Sequence, residues 1–189
     1  MKIGILGGSF NPPHPGHVYI SKIAYKKLNL NQIWWLVAKC NPFKSPLSML
    51  DFATRLNLCK VISINEPYIR INDFEQRVRS HETYFVLKKL HENYPNHQFY
   101  WLMGSDNLQK LHLWKNAHLI IGLMPIIIFS RNNNFLLTNH YKFSLLYSHQ
   151  RKTNIILKKS NNWWHIQRIK NKNISSTEIR RRNFYNKSS

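Results

Sequence analysis

Residues 2–17 read KIGILGGSFNPPHPGH and place a strand, a glycine turn and the start of a helix in immediate succession. Residues 2–6 are mostly apolar, which predicts a short buried β-strand. The Gly7-Gly8 pair predicts a turn, and the proline-rich stretch that ends at Gly16 predicts a loop. From about residue 17 to residue 28 the apolar side chains recur at helical spacing. This stretch therefore predicts the first half of a strand–helix–strand unit.

The same alternation continues along the chain. Further strands are predicted at residues 33–38, 68–71, 99–103 and 125–129, and a helix at residues 82–94. Strands that alternate with helices predict a parallel sheet joined by right-handed crossovers. We therefore expect an α/β fold, a Rossmann-like doubly wound parallel sheet with helices on both faces, formed by a single domain over residues 1–189.

A second helix is predicted between the second and third strands. Ser48, with Asp51 three residues later, has the pattern of a capping box and predicts the start of this helix. Its apolar face is predicted to consist of Met49, Phe52, Ala53 and Leu56.

The turn between the first strand and the first helix contains residues suited to binding a phosphate. Open α/β sheets bind ligands beyond the carboxyl ends of their strands, and the glycines Gly7-Gly8 let backbone amides approach an anion closely. His14 and His17 add hydrogen-bonding groups where the helix dipole favours anions. The structural alternative is a tight turn followed by a surface loop with two of the chain's ten histidines. The position between strand and helix favours the phosphate-binding interpretation.

The segment ISSTEIR, residues 174–180, is a second candidate for phosphate binding. Ser175 and Glu178 form a capping-box pattern, which predicts a helix start. The free amides there, with the hydroxyls of Ser176 and Thr177, are suited to an anion, and Arg180 lies one turn further along. An ordinary capped helix with a basic surface is the structural alternative.

The chain is strongly basic, with a net charge of +20 from 28 basic and 8 acidic residues. The acids form no DxD or ExxE pair, so chemistry that needs a carboxylate cage is poorly supported, whereas chemistry on anions is well supported. Cys40 and Cys59 have no zinc-ligand spacing, which predicts two reduced thiols. The charge also suits nucleic-acid binding, but a chain rich in Lys, Asn and Ile is what an AT-biased genome would encode. We favour this second explanation and expect no nucleic-acid partner.

The longest apolar stretch, residues 119–129, is too short to cross a bilayer and is interrupted by Gly122 and Pro125. The N-terminal apolar run breaks at Gly7-Gly8, too early for a secretory signal. We therefore expect a cytoplasmic protein with no membrane partner.

The HxGH pattern after a GGSFNP turn, together with the late ISSTEIR segment, resembles the nucleotidyltransferases related to class I aminoacyl-tRNA synthetases. Among these, the chain is most similar to the bacterial nicotinate-nucleotide adenylyltransferase family. Supporting matches are NPFK at residues 41–44, WLMGSDNL at residues 101–108, and Trp114. The resemblance extends to about Arg180.

The resemblance implies a role for each matching residue. His14 and His17 would contact the ATP phosphates, and Lys44 and Arg180 would supply positive charge at the phosphates. The other residues implied to bind ATP are Gly8, Ser9, Phe10, Gly104, Asp106, Ser176 and Thr177.

Two further residues are implied to contact the pyridine mononucleotide. Trp114 would stack on the pyridine ring and Thr83 would lie near its carboxylate. The family's Ser-Tyr-Thr stretch reads His81-Glu82-Thr83 here, which leaves the choice between nicotinate and nicotinamide open. Trp114 has the alternative role of a core aromatic residue, and Asp106 that of a helix N-cap.

The activity implied by the resemblance is transfer of AMP from ATP to nicotinate mononucleotide, which forms deamido-NAD and pyrophosphate in NAD biosynthesis. Mg²⁺ would arrive bound to ATP, without a metal site built by the protein. Pantetheine-phosphate adenylyltransferase is the nearest alternative, and a non-catalytic basic RNA-binding protein of the same fold is the alternative from a different class. The sequence does not specify an oligomeric state.

Overall fold

A six-stranded, wholly parallel sheet forms the centre of the computed structural model, which describes residues 1–39, 49–78, 80, 82–131, 135–153 and 163–170. Its strands are β1 (Lys2–Gly8), β2 (Gln32–Val37), β3 (Ile69–Asn72), β4 (Gln98–Gly104), β5 (Ile126–Arg131) and β6 (Trp164–Ile169). They lie in the order β3-β2-β1-β4-β5-β6. The chain thus builds outward from β1 to one edge, then returns to the other side of β1. The predicted doubly wound α/β fold is confirmed.

Seven α-helices accompany the sheet within the described ranges. They are α1 (Pro15–Lys27), α2 (Phe52–Ile62), α3 (Phe74–Val78), α4 (Thr83–Asn93), α5 (Ser105–Leu111), α6 (Ala117–Leu123) and α7 (Lys142–Leu146). None of these helices combines the length and the apolar character needed to cross a bilayer.

Each face of the sheet has its own hydrophobic core, because successive strand side chains point to opposite faces. On one face Ile3 and Ile5 pack in a cluster that includes Val86 and Leu87 of α4. On the other face Leu6 packs in a cluster with Ala24 of α1, Leu28 at the end of that helix and Cys59 of α2. The prediction of helices on both faces is therefore confirmed.

The prediction for the second helix is wrong at its start. Asp51 is the N-cap of α2, and its carboxylate accepts a hydrogen bond of 2.9 Å from the Thr54 amide. Met49 therefore precedes the helix, while Ser48 lies outside the described residues. Ala53 is exposed.

The buried face of α2 is consequently rotated from the predicted one. Its fully buried residues are Arg55 and Cys59, and Phe52 and Leu56 are only partly buried. Cys59 is a free cysteine, in agreement with the predicted reduced thiol, and its side chain is buried.

Helices α3, α5 and α6 and strand β6 were not anticipated from the sequence. The three helices have five to seven residues each, too short for a clear helical periodicity. In β6, polar His165, Gln167 and Arg168 interrupt the apolar pattern of a strand at the sheet edge.

Candidate active site

The candidate site lies where the winding direction of the sheet changes, between β1 and β4. Leu6 pairs with Leu102, and each strand ends two residues later, at Gly8 and Gly104. In open α/β sheets, the crevice beyond the strand ends at this switch point is the ligand-binding position. The fold therefore brings two predicted ATP-binding positions, far apart in sequence, to the same part of the sheet edge.

The turn after β1 is tightly fixed. A Cβ atom on Gly7 would collide with the indole of Trp101 on the neighbouring strand, so only glycine fits without a shift of that ring. Phe10 has φ of 45°, in the left-handed region that side chains disfavour. It is held there because its ring is buried and stacks on Trp35, with the ring centroids 4.9 Å apart. Ser9, the residue before Phe10, is also buried. The turn therefore offers its backbone groups in one arrangement.

His14 and His17 together form the N-terminal cap of α1. The Gly16 amide donates to His14 Nδ1, and the His14 amide donates to His17 Nδ1, both at 3.1 Å. A ring nitrogen that accepts a hydrogen bond has no proton, so each neutral imidazole carries its proton on Nε2. Both side chains are thereby held as Nε2–H donors at a helix N-terminus whose first turn contains no acid.

Aromatic packing supports the histidine pair. The two imidazole rings lie with centroids 3.8 Å apart. His17 also packs against Phe10, at 4.8 Å between centroids, and against Trp35 at 5.9 Å. Trp35 is anchored in turn, because its Nε1 donates to Ser21 Oγ at 2.8 Å. The pair thus rests on a layer of buried rings that restricts its rotation.

Asp106 lies in the first turn of α5, immediately beyond the end of β4. The N-cap of this helix is Gly104, with extended backbone, so the alternative role of Asp106 as the N-cap is wrong. A Cβ atom on Gly104 would clash with Asp106 Oδ1. The absence of a side chain at Gly104 therefore leaves the space in which this exposed carboxylate lies against the strand end.

Thr83 and Trp114 lie on segments that an ion pair joins. Thr83 is the first residue of α4, and the preceding residue, Glu82, binds Lys115 Nζ at 2.6 Å. Trp114 is partly buried and packs edge-to-face on Trp101, with centroids 6.4 Å apart. Its indole thus packs on the core and also keeps exposed surface.

Four predicted site residues, Lys44, Ser176, Thr177 and Arg180, lie outside the described residues. Their roles stay predictions.

Sequence reasoning missed two buried ionisable residues next to the turn. Arg55 is 1% exposed and donates hydrogen bonds to four backbone carbonyls, including that of Ser9. Glu75 is buried beside the end of β2 and accepts a hydrogen bond of 2.9 Å from the Lys39 amide. Burial raises the pKa of Glu75 to about 7, although the Lys39 amide and the nearby Arg55 both favour the ionised form. The available signal was weak: Arg55 lies three residues after Phe52 and four before Cys59, spacings that put the three side chains on one side of a helix.

A histidine-capped helix and a glycine turn at the switch point of a parallel sheet form a site suited to the phosphates of a nucleotide, the arrangement expected of the nucleotidyltransferase class. Comparison with known proteins agrees with this class. Residues 5–182 match the model of the cytidylyltransferase-like family.

Individual relatives narrow the class. The chain is 37% identical over 188 residues to the "Probable nicotinate-nucleotide adenylyltransferase" of Ruegeria sp. (strain TM1040). The match covers 96% of this chain and 97% of that protein. It is 35% identical over 136 residues to the protein of the same name from Agrobacterium fabrum, with 72% of each chain covered. The solved structure of Plasmodium falciparum nicotinic acid mononucleotide adenylyltransferase complexed with NaAD superimposes with a TM-score of 0.67 at 25% identity, over 95% of this chain and 82% of that one. The chain belongs to the cytidylyltransferase-like family and, within it, to the nicotinate-nucleotide adenylyltransferases.

Proposed function

We propose that this chain transfers the adenylyl group of ATP to nicotinate mononucleotide, releasing pyrophosphate and forming deamido-NAD for NAD biosynthesis. The observation that carries the proposal is the His14–His17 cap of α1 at the switch point of the sheet. It occurs in a chain whose relatives are named for this reaction.

The phosphate end of the site would act by positioning and by stabilising charge. The acceptor phosphate is already largely ionised at neutral pH, since the second pKa of a phosphate monoester is about 6. No strong base is then needed for its in-line attack on the α-phosphate of ATP. The Nε2–H groups of His14 and His17 would donate to phosphate oxygens that gain charge as pyrophosphate leaves. The amides of Gly8, Ser9 and Phe10 would hold the triphosphate at the end of β1.

Mg²⁺ would enter bound to the triphosphate and neutralise part of its charge. The donor set fits this arrangement, because imidazole and amide N–H groups bind phosphate oxygens and leave the metal to the nucleotide. Among the described residues, no group of three or more His, Cys, Asp and Glu side chains could form a protein cage for a metal ion.

The remaining contacts would select the two nucleotides. Asp106, in the first turn of α5 just beyond β4, would accept hydrogen bonds from the ATP ribose. Trp114, with part of its indole exposed, would stack on the pyridine ring, and Thr83 would donate to the pyridine carboxylate. The Lys115 ammonium would keep the charge of Glu82 from repelling that carboxylate. We further propose that Lys44, Ser176, Thr177 and Arg180 complete the contacts to the phosphates.

The test is pyrophosphate release from ATP and Mg²⁺ with nicotinate mononucleotide, nicotinamide mononucleotide or phosphopantetheine as acceptor. We expect release with nicotinate mononucleotide. His17→Ala should lower turnover by about 10²–10³, the cost of removing one donor to transition-state charge, with the fold retained. His118→Ala, on the exposed side of α6, is the matched control and should keep full turnover. Release with phosphopantetheine alone would assign the chain to the sister reaction, and full turnover of folded His17→Ala would remove that histidine from the mechanism.

A further inference from the structure

Arg55 ties three separate segments of the backbone together from inside the protein. Its Nη1 donates to the carbonyl oxygens of Ser9 at 2.8 Å and Ala38 at 2.7 Å. Its Nη2 donates to Lys39 O, and its Nε to Leu50 O, both at 3.0 Å. These carbonyls belong to the turn after β1, to the residues that follow β2 and to the residues that precede α2. One side chain therefore fixes these segments relative to one another.

The arrangement depends on the shape of the guanidinium group. Burying a cation is costly unless its donors are satisfied, and the planar fork of arginine can reach several carbonyls at once. Glu75 holds the residues after β2 as well, because its carboxyl group accepts a hydrogen bond from the Lys39 amide at 2.9 Å. The nearby Arg55 guanidinium favours the ionised form of this carboxyl group. Lysine keeps the charge of Arg55 but has a single donor atom, so it could not make all four contacts.

The bond to Ser9 determines the direction of the next amide. In a trans peptide the C=O and N–H groups point in opposite directions. Since the Ser9 carbonyl points inward at Arg55, the Phe10 N–H points in the opposite direction, away from the Arg55 guanidinium. A second link holds the same turn, because Asn11 Oδ1 accepts from the Leu50 amide at 3.0 Å.

We infer that Arg55 is a positioning residue for phosphate binding: it orients the Ser9–Phe10 peptide so that its amide is presented to ATP, without touching either substrate. This inference rests on the proposed function. It predicts a defect confined to the ATP half of the site. The four carbonyls that Arg55 binds lie in other segments than Thr83 and Trp114, which belong to the proposed acceptor half.

The experiment compares Arg55→Lys and Arg55→Met with Arg70→Met, which changes an exposed arginine on β3. Calorimetric binding of ATP, KM for each substrate, kcat and urea unfolding are measured for each variant. We expect ATP binding to weaken about tenfold or more in Arg55→Lys, equivalent to the loss of about one hydrogen bond. KM for nicotinate mononucleotide should stay within about twofold of wild type, and Arg70→Met should match wild type throughout. If Arg55→Met does not fold, Arg55→Lys carries the test.

A purely structural role gives a different result. Lower unfolding free energy with wild-type ATP affinity per folded molecule would overturn the inference, and so would equal weakening of both substrates. Because ATP binding is measured directly, failure of the proposed function appears separately, as wild-type protein that binds ATP but releases no pyrophosphate with nicotinate mononucleotide.

Discussion

Replacing Glu75 by glutamine should remove a specific pH dependence of stability. Glu75 is 8% exposed, and burial raises the pKa of its carboxyl from 4.5 to about 7. In the unfolded chain the group ionises near pH 4.5, whereas in the folded chain it keeps its proton until about pH 7. Between these values the unfolded state binds fewer protons, so wild-type stability falls as pH rises. Glutamine has the same shape and can still accept from the Lys39 amide, but it does not titrate.

The size of the effect follows from the two pKa values. Each pKa unit corresponds to about 1.4 kcal/mol. With pKa values of 4.5 in the unfolded chain and about 7 in the folded chain, the part of the titration between pH 5 and pH 8 lowers the free energy of unfolding by about 2.5 kcal/mol. For a chain of this length, that corresponds to about 5–10 °C in Tm. Above pH 7 the loss is complete, so Glu75→Gln should exceed wild type in stability by the largest margin there.

The measurement is urea unfolding of wild type and Glu75→Gln from pH 5 to pH 8, with the difference in unfolding free energy plotted against pH. The subtraction cancels the titration of the ten histidines. Glu92→Gln is the control, because the pKa of that exposed carboxyl is lowered by its hydrogen bond from Lys89, and its difference plot should stay nearly flat. A flat plot for Glu75→Gln as well would refute the reasoning that burial keeps this carboxyl protonated.

Two further variants test the site by other means. Gly7→Ala should lower the free energy of unfolding by about 1–3 kcal/mol, the usual cost of overpacking, because its methyl group collides with Trp101. Reducing Trp101 to Phe in the same chain should restore part of the loss, and a fully stable Gly7→Ala would show that the indole moves freely. Lys115→Met breaks an exposed ion pair with Glu82, so stability should change by less than about 1 kcal/mol. The uncompensated Glu82 should raise KM for nicotinate mononucleotide but not for ATP, and equal changes in both constants would contradict the placement of the acceptor.

The fold could be predicted largely because its strongest signals are local. The strands nearest the centre of the sheet are apolar runs bounded by glycine, proline or polar turns, and they appear where predicted to within one or two residues. The errors concern features decided by tertiary contacts. The start of α2 depends on whether Ser48 or Asp51 caps it, and local sequence allows both. The edge strand β6 is stabilised by pairing with β5 along its whole length, although its own sequence is mixed.

The site could be predicted only as far as its motif extends. The sequence placed His14 and His17 beside a glycine turn, but not that they cap the helix and each other, since that depends on side-chain torsions. Arg55 was missed because arginine is normally an exposed residue. Its burial becomes favourable only when carbonyls from three separate segments converge on it, two of them distant in sequence, and no local pattern predicts that convergence.

In the described part of the proposed site, the groups that would position the nucleotide differ from the charges that would attract it. The net charge of +20 raises the local concentration of anions over long distances, but salt screens this field beyond about 8 Å at physiological ionic strength. The groups that would touch phosphate at β1 and α1 are neutral amides and imidazole Nε2–H donors, which act at contact distance and escape this screening. Arg55 donates its hydrogen bonds to backbone carbonyls. In the proposed site these bonds would order the turn, and Arg55 would not bind the ligand itself. A basic composition therefore accounts for attraction alone, whereas in the proposed site the position of the phosphate would depend on the switch point and on the buried groups that fix the turn.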